Sequence, residues 1–102
     1  MARLSDPEIE SALRSLPGWK REGEALVKTF RFPSFRDAVA FVDRLAPVVD
    51  VADHHPDILI RYRRVTLAYS THSEGGVTEK DIAGARDAER LAAASESAAP
   101  GA

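Results

Sequence analysis

Apolar residues recur along the chain with two different periods, and these periods predict seven secondary-structure elements. Three stretches carry apolar residues at every third or fourth position, which is typical of amphipathic helices. Each stretch follows a predicted N-cap, namely Ser5 (or Asp6), Ser34 and Thr78, and an acidic residue stands three positions after each serine or threonine. Four shorter segments alternate apolar and polar residues and therefore predict half-buried strands.

The four predicted strands form two hairpins. The first hairpin spans Trp19–Phe32 and turns at Glu22-Gly23-Glu24, and the second joins Ile58–Tyr62 to Val65–Thr71 through Arg63-Arg64. The order of elements is therefore α-β-β-α-β-β-α. This order predicts an α+β domain, in which a four-stranded antiparallel sheet carries its helices on one face and leaves the other face open.

Two segments depart from these periodic patterns. Pro47 lies within the second helical stretch, where a proline predicts a kink near Asp43–Leu45 or a division into two shorter helices. After about Ala93 the chain is almost entirely Ala, Ser, Glu, Pro and Gly, a composition typical of disorder. The prediction is one domain over residues 1–93 and a disordered C-terminal tail over residues 94–102.

Composition and charge limit the classes of function. The 102 residues suit one domain, and 44% hydrophobic and 29% charged residues are typical of a soluble globular protein. The absence of cysteine excludes disulfides and thiolate metal sites. We see no signal peptide and no apolar run of the roughly 20 residues that span a bilayer, so we expect a cytoplasmic protein with no membrane partner. A net charge of −2 argues against nucleic acid as a direct partner.

The chemistry of the sequence is concentrated between residues 50 and 81, where all three histidines lie. His54 and His55 are adjacent and are followed by Pro56. Because a proline disfavours helical geometry in the residue before it, His55 should be extended even if His54 ends the second helix. The two imidazoles could then line one pocket from two directions, and His72 could reach it from another element.

The spacing of these residues resembles the signature of the pterin-4a-carbinolamine dehydratases. The similar residues are Asp50, His54-His55-Pro56, Tyr62, His72 and Asp81, together with Gly18-Trp19, Leu26–Phe32, Phe35, Phe41-Val42, Thr71, Gly76 and Thr78. The resemblance covers roughly Leu13 to Ala92 and implies the same element order. It implies a hydro-lyase that converts 4a-hydroxytetrahydropterin to quinonoid dihydropterin without a metal or other cofactor. The reaction would recycle the pterin that aromatic amino-acid hydroxylases use.

The resemblance also implies roles for particular side chains. The candidate catalytic residues are His54, His55 and His72, and the candidate residues for binding or orienting the substrate are Asp50, Asp81, Pro56 and Trp19. An imidazole has a pKa near 6.5 and can donate or accept a proton near neutral pH. We expect His55 to transfer the proton at the departing hydroxyl. Asp50 precedes His54 by one helical turn and could orient that ring, or it could simply lie on a solvated face.

Several of these residues have simpler explanations. The histidine pair could end a helix, where imidazolium favours the negative end of the dipole. Asp81 could be only the acid of a capping box, and Trp19 only a half-buried anchor. Three histidines beside an aspartate could instead bind zinc or iron. We expect Tyr62 to pack on the sheet, and the three arginines of the second hairpin (Arg61, Arg63 and Arg64) to be solvated without a role.

The second class of function is a non-catalytic binding module. In the family that the chain resembles, animal members are dimerisation partners of a homeodomain transcription factor, and degenerate bacterial relatives are assembly chaperones. The complete histidine pattern here favours catalysis. We expect a homodimer, with a tetramer as the alternative, because a two-layer α+β domain exposes one sheet face and two edges and the Leu26–Phe32 strand is apolar enough to seek a partner. Pro47 lies in a helix that packs between subunits in some family members, which leaves the subunit arrangement open.

Overall fold

A computed structural model describes residues 2–98. It contains three helices, α1 (Asp6–Leu13), α2 (Phe35–Ala52) and α3 (Glu79–Ala98), and four strands, β1 (Lys20–Glu22), β2 (Ala25–Arg31), β3 (Asp57–Arg61) and β4 (Arg64–Tyr69). A short 3-10 helix, His72–Glu74, lies between β4 and α3. This order confirms the predicted α+β fold.

The four strands form one antiparallel sheet in the order β1-β2-β4-β3. One face of its two central strands is buried, through Leu26 and Phe30 of β2 and Val65, Leu67 and Tyr69 of β4. The Leu26–Phe32 strand, which we expected to seek a partner, is thus central, and its large apolar side chains belong to the core of its own chain. That part of the oligomer argument was wrong. The helices complete the core with Ile9, Ala38, Phe41, Leu45, Val49, Ile82, Ala85 and Ala88.

The predicted caps of the first two helices are confirmed. The hydroxyl of Ser5 accepts a hydrogen bond from the amide of Glu8, and the Glu8 carboxylate accepts one from the amide of Ser5. The hydroxyl of Ser34 accepts a hydrogen bond from the amide of Asp37 at 3.0 Å. These bonds satisfy amide groups that have no partner within the first turn of a helix.

Helix α2 continues through Pro47 as one element, so the expectation of two shorter helices was wrong. Pro47 and Asp43, whose carbonyl group loses its helical partner, both lie on the exposed side of α2. Water can therefore satisfy that carbonyl group. Leu45 and Val49 are buried on the opposite side, and their packing holds the helix against the sheet.

Helix α3 continues to Ala98, beyond the domain boundary that we predicted at residue 93. The high helix propensity of alanine accounts for this extension. Residues 99–102 lie outside the described residues, so disorder of the tail stays a prediction. No helix in the described part of the chain combines the length and the apolar character that crossing a membrane requires.

Candidate active site

The link between α2 and β3 determines where the two adjacent histidines lie. Asp53 ends α2 in the left-handed conformation, with φ 53° and ψ 42°. Aspartate tolerates this conformation better than most residues because its short side chain can bond locally. The chain therefore leaves the helix before His54, whose amide donates to the carbonyl of Val49 at 3.2 Å. Pro56 is buried and anchors the end of the link ahead of β3.

His54 is held by a carboxylate and by an aromatic ring. Its Nε2 lies 2.6 Å from Oδ1 of Asp81, and the two side chains are 13% and 0% exposed, respectively. Its ring also stacks on the ring of Tyr69, with 6.0 Å between the centroids. An ionised carboxylate can only accept hydrogen bonds, so Nε2 carries the proton. When the ring is neutral, Nδ1 is its remaining acceptor.

Asp81 connects His54 to the loop that carries His72. Its Oδ2 accepts hydrogen bonds from the amide of Thr78 and from the hydroxyl of Thr71, both at 2.8 Å. The first bond is half of a capping box at the start of α3. The second fixes the residue directly before His72, whose side chain is exposed. Asp81 therefore caps α3 and orients His54 through different oxygens, so the two explanations of this residue are compatible.

His55 has a carboxylate partner of its own. Its Nε2 lies 2.8 Å from Oδ1 of Asp50, and the side chains are 55% and 72% exposed. The expectation that Asp50 orients His54 was therefore wrong. It assumed a helical spacing between these residues, and the left-handed turn at Asp53 interrupts that spacing.

A cleft of about 100 Å³ lies between α2 and α3. His54 and Tyr69 line it together with Lys80 and Asp87, whereas His55 and His72 are not among its lining residues. The structure thus does not bring the three histidines together around this cleft. The Tyr69 hydroxyl is buried and has no hydrogen-bond partner among the groups that the structure describes. Burial raises the pKa of Tyr69, and the charges of Asp87 and Asp81 raise it further, so its hydroxyl stays neutral.

Tyr69, Thr71 and Thr78 complete this site, and our reading of the sequence assigned none of them to it. Thr78 was predicted as a helix cap and the other two as strand residues, although Thr71 and Thr78 were also among the residues that carry the family resemblance. One signal was available for Tyr69, because strand alternation puts its side chain on the same face as Val65 and Leu67. Its contact with His54 depends on how α2 ends, which that alternation does not determine.

Two aromatic residues of the family pattern, Trp19 and Tyr62, lie outside the cleft that His54 lines. Trp19 is buried in the core against Phe30 and Tyr69, and its indole N–H donates to the Glu89 carboxylate at 3.0 Å. It is therefore an anchor of the core and does not line the cleft. Tyr62 lies in the turn after β3 and is 70% exposed, so the expectation that it packs on the sheet was wrong. The hairpin turns one residue earlier than we predicted.

The zinc or iron alternative requires several ligands that converge on one ion. Among the described side chains, which end at residue 93, no three of His, Asp or Glu are arranged so that they could hold a metal ion. Each of the two adjacent histidines is instead paired with a separate carboxylate.

Comparison with known protein families identifies the wider group to which this architecture belongs. The family described as pterin 4 alpha carbinolamine dehydratase matches residues 2–91. The chain belongs to this family. The family resemblance that the histidine pattern predicted is therefore confirmed.

Curated relatives and solved structures agree with this assignment. A protein of Thermomicrobium roseum, named "Putative pterin-4-alpha-carbinolamine dehydratase", is 55% identical over 90% of this chain and 99% of its own length. A Mycobacteroides abscessus protein of the same name is 52% identical over 81% of this chain and 88% of its own. The crystal structure of a transcriptional coactivator/pterin dehydratase from Brucella melitensis has a TM-score of 0.85 and 40% identity, and covers 88% of this chain and 98% of that one.

A more distant structural relative carries a different description. It is a pterin dehydratase-like protein identified as a RuBisCO assembly factor in the alpha-carboxysome, with a TM-score of 0.61 and 25% identity. The similarity covers 72% of this chain and 86% of that one. The same fold therefore has relatives that are described by an assembly role.

Proposed function

We propose that the protein dehydrates 4a-hydroxytetrahydropterin to quinonoid dihydropterin, in the recycling of a tetrahydropterin used by an aromatic amino-acid hydroxylase in the cytoplasm. One observation carries the proposal beyond family membership: adjacent histidines have separate carboxylate partners, His54 with Asp81 and His55 with Asp50. A carboxylate that accepts from one ring nitrogen selects the tautomer and stabilises the imidazolium form. Two such pairs on one short link suit a reaction that both gives and takes a proton.

The proposed reaction breaks the bond between C4a and the hydroxyl oxygen. A protonated imidazole gives its proton to the departing hydroxyl, which leaves as water, and a base removes the proton from ring nitrogen N5. The electron pair of the N5–H bond forms the new C4a–N5 double bond, so atoms and charge balance. We assign the first step to His55, because its exposed ring can recover a proton from water after each turnover. His54 and His72 then position the pterin or accept the second proton.

The direct test is stopped-flow absorbance of freshly generated 4a-hydroxytetrahydropterin with and without the protein. We expect acceleration that survives chelator treatment. Replacing His55 by alanine should lower turnover by about 10²-fold or more, since a positioned acid or base contributes about 10²–10⁴-fold. A His→Ala change at position 54 or 72 should lower turnover or binding. Wild-type rates in all three variants would refute the catalytic role of these residues.

A homodimer built through β3 is the second part of the proposal. This strand is an edge of the sheet, and Ile58, Leu59 and Ile60 are exposed on it. Two copies paired antiparallel about Leu59 would put Asp57 of each copy opposite Arg61 of the other. An exposed edge with self-complementary charge and apolar side chains favours such pairing over solvation.

The oligomer prediction is tested by light scattering of the protein and of Leu59→Arg. We expect twice the 11.1 kDa chain mass for the wild type and a shift towards monomer in the variant. Val51→Arg changes another exposed apolar residue, on α2, and should leave the β3 pairing intact. A wild-type monomer at micromolar concentration would refute the prediction.

A non-catalytic assembly role is the second candidate function. The exposed apolar edge of β3 is the observation that favours it, since such an edge can bind a partner strand. The stopped-flow experiment separates the two candidates, because an assembly module would not change the rate of dehydration.

A further inference from the structure

The register of the sheet brings three arginines into one row. Arg31 of β2 lies opposite Arg64 of β4, which lies opposite Arg61 of β3. Neighbouring strands are about 4.8 Å apart, and like charges that face each other across strands are destabilising. Among the side chains that the structure describes, those of residues 2–93, no Asp or Glu lies within ion-pair distance of these arginines or of Arg63. The fold therefore keeps a concentrated positive charge on a chain whose net charge is −2.

A cleft lies at this end of the sheet. It has a volume of about 320 Å³ and is lined by Arg31, Phe32, Tyr62, Arg63 and Arg64. That volume is at the lower end of the range for small-molecule sites. The cleft and the adjacent histidines lie at opposite ends of β3, because His54 and His55 precede this strand, whereas Tyr62, Arg63 and Arg64 follow it. It is therefore separate from the candidate active site.

Tyr62 gives the cleft an aromatic wall in an unusual conformation. It is the first residue of the two-residue turn between β3 and β4 and has φ 54°, a left-handed conformation that is rare for a bulky side chain. Its ring is 70% exposed, and the guanidinium of Arg63 lies 5.4 Å from the ring centroid. The turn thus holds an aromatic ring in solvent beside three cations of the cleft, Arg31, Arg63 and Arg64, that have no carboxylate partner among the described side chains.

We propose that this cleft binds a small phosphate-bearing aromatic molecule of the nucleoside diphosphate class. A guanidinium presents two parallel N–H groups that match the oxygens of a phosphate. The cleft has three guanidinium groups, from Arg31, Arg63 and Arg64. The ring of Tyr62 provides a surface on which a flat base stacks. A small ligand fits better than a nucleic acid, because the positive charge is confined to one end of the sheet.

The test is calorimetric titration of the full chain at low ionic strength with adenosine diphosphate, pyrophosphate and adenosine in turn. We expect adenosine diphosphate to bind more tightly than either of its parts. Arg64→Gln and Arg31→Gln should each weaken binding of adenosine diphosphate and of pyrophosphate about tenfold, the equivalent of one charge-assisted hydrogen bond. Tyr62→Ala should weaken only the ligands that contain the base.

The matched control is Arg14→Gln, which removes one exposed positive charge outside the cleft. The side chains that these variants change are all exposed, namely those of Arg14, Arg31, Tyr62 and Arg64, so the variants should fold. Urea unfolding checks this. The proposal is overturned if adenosine diphosphate gives no saturable binding, or if Arg14→Gln weakens binding as much as Arg64→Gln. Tighter binding of a single-stranded oligonucleotide than of adenosine diphosphate would also overturn it. None of these measurements depends on dehydratase activity.

Discussion

Asp81→Asn changes one oxygen of the buried carboxylate into an amide NH₂ and nearly preserves its size. In the wild type, this carboxylate accepts hydrogen bonds from the amide of Thr78, the hydroxyl of Thr71 and Nε2 of His54. If the amide oxygen replaces Oδ2, the bonds to the two threonines remain. The new NH₂ then faces Nε2 of His54, where two N–H donors would meet. His54 must move its proton to Nδ1 or lose the contact.

The expected loss of stability is small beside the expected loss of activity. The three hydrogen bonds to this group lose the contribution of the carboxylate charge, but the cap of α3 remains and no charge stays buried, so the net cost should be about 1–2 kcal/mol. Asp81→Ala would instead leave the amide of Thr78 and Nε2 of His54 without their carboxylate acceptor and should cost about 3–5 kcal/mol. If the proposed dehydration uses His54 in its native tautomer, Asp81→Asn should lower turnover by about 10²-fold or more.

Three measurements separate these effects: urea unfolding for stability, stopped-flow absorbance for dehydration, and nitrogen NMR for the His54 tautomer. Asp37→Asn is the matched control, since Asp37 follows the cap of α2 as Asp81 follows the cap of α3. The control should leave turnover unchanged. A wild-type rate in Asp81→Asn together with unchanged His54 resonances would show that Asp81 serves only as the helix cap.

The remaining predictions concern stability and are measured by urea unfolding. A Cβ at Gly84 would collide with the Tyr69 ring, so Gly84→Ala should lower the free energy of unfolding by up to about 2 kcal/mol although alanine favours helices. A variant as stable as the wild type, or more stable, would contradict this. Wild-type stability should fall as pH rises above about 10, because Tyr69 ionises there only when unfolded. Tyr69→Phe should reduce this loss of stability at high pH, and near pH 7 it should leave the free energy of unfolding unchanged or raise it. The same loss of stability at high pH in the variant and the wild type would contradict this prediction. The Ser5 amide lowers the pKa of Glu8 below its ordinary 4.5, so the stability it contributes is lost as pH falls through the lowered value. Glu8→Gln should therefore lose less stability than wild type between about pH 6 and pH 3, whereas an equal loss would contradict the assignment.

The elements that the sequence predicted well are those with local signals. Ser5 and Ser34 each precede a helical stripe, and the acidic residue three positions later marks the same boundary independently. The first hairpin has Gly23 in its turn with φ 61°, a conformation that glycine adopts readily. In the second hairpin the first turn residue is Tyr62, which also has a positive φ. Sequence preferences do not predict a tyrosine in this conformation, so the turn that we predicted was displaced by one residue.

The parts that could not be predicted depend on contacts between distant elements. The row of arginines forms only because β2 pairs with β4, which brings Arg31 beside residues more than thirty positions away. We assigned the hairpin arginines no role since three exposed cations at a turn are ordinary in a sequence. Likewise, the bond from Thr71 to Asp81 requires the loop after β4 to fold back on the start of α3.

The candidate site itself depends on one backbone conformation. If α2 had continued through Asp53, His54 would have lain one turn after Asp50, as the spacing suggested. The left-handed Asp53 instead directs His54 towards α3, where Asp81 and Tyr69 fix its ring, and leaves His55 in solvent with Asp50. Two adjacent residues of one type thus differ in the number of contacts that hold their rings and in access to water. A fixed imidazole suits the positioning of a flat ring, and an exposed one suits exchange of protons with solvent, so the proposed division of labour follows from how a single helix ends.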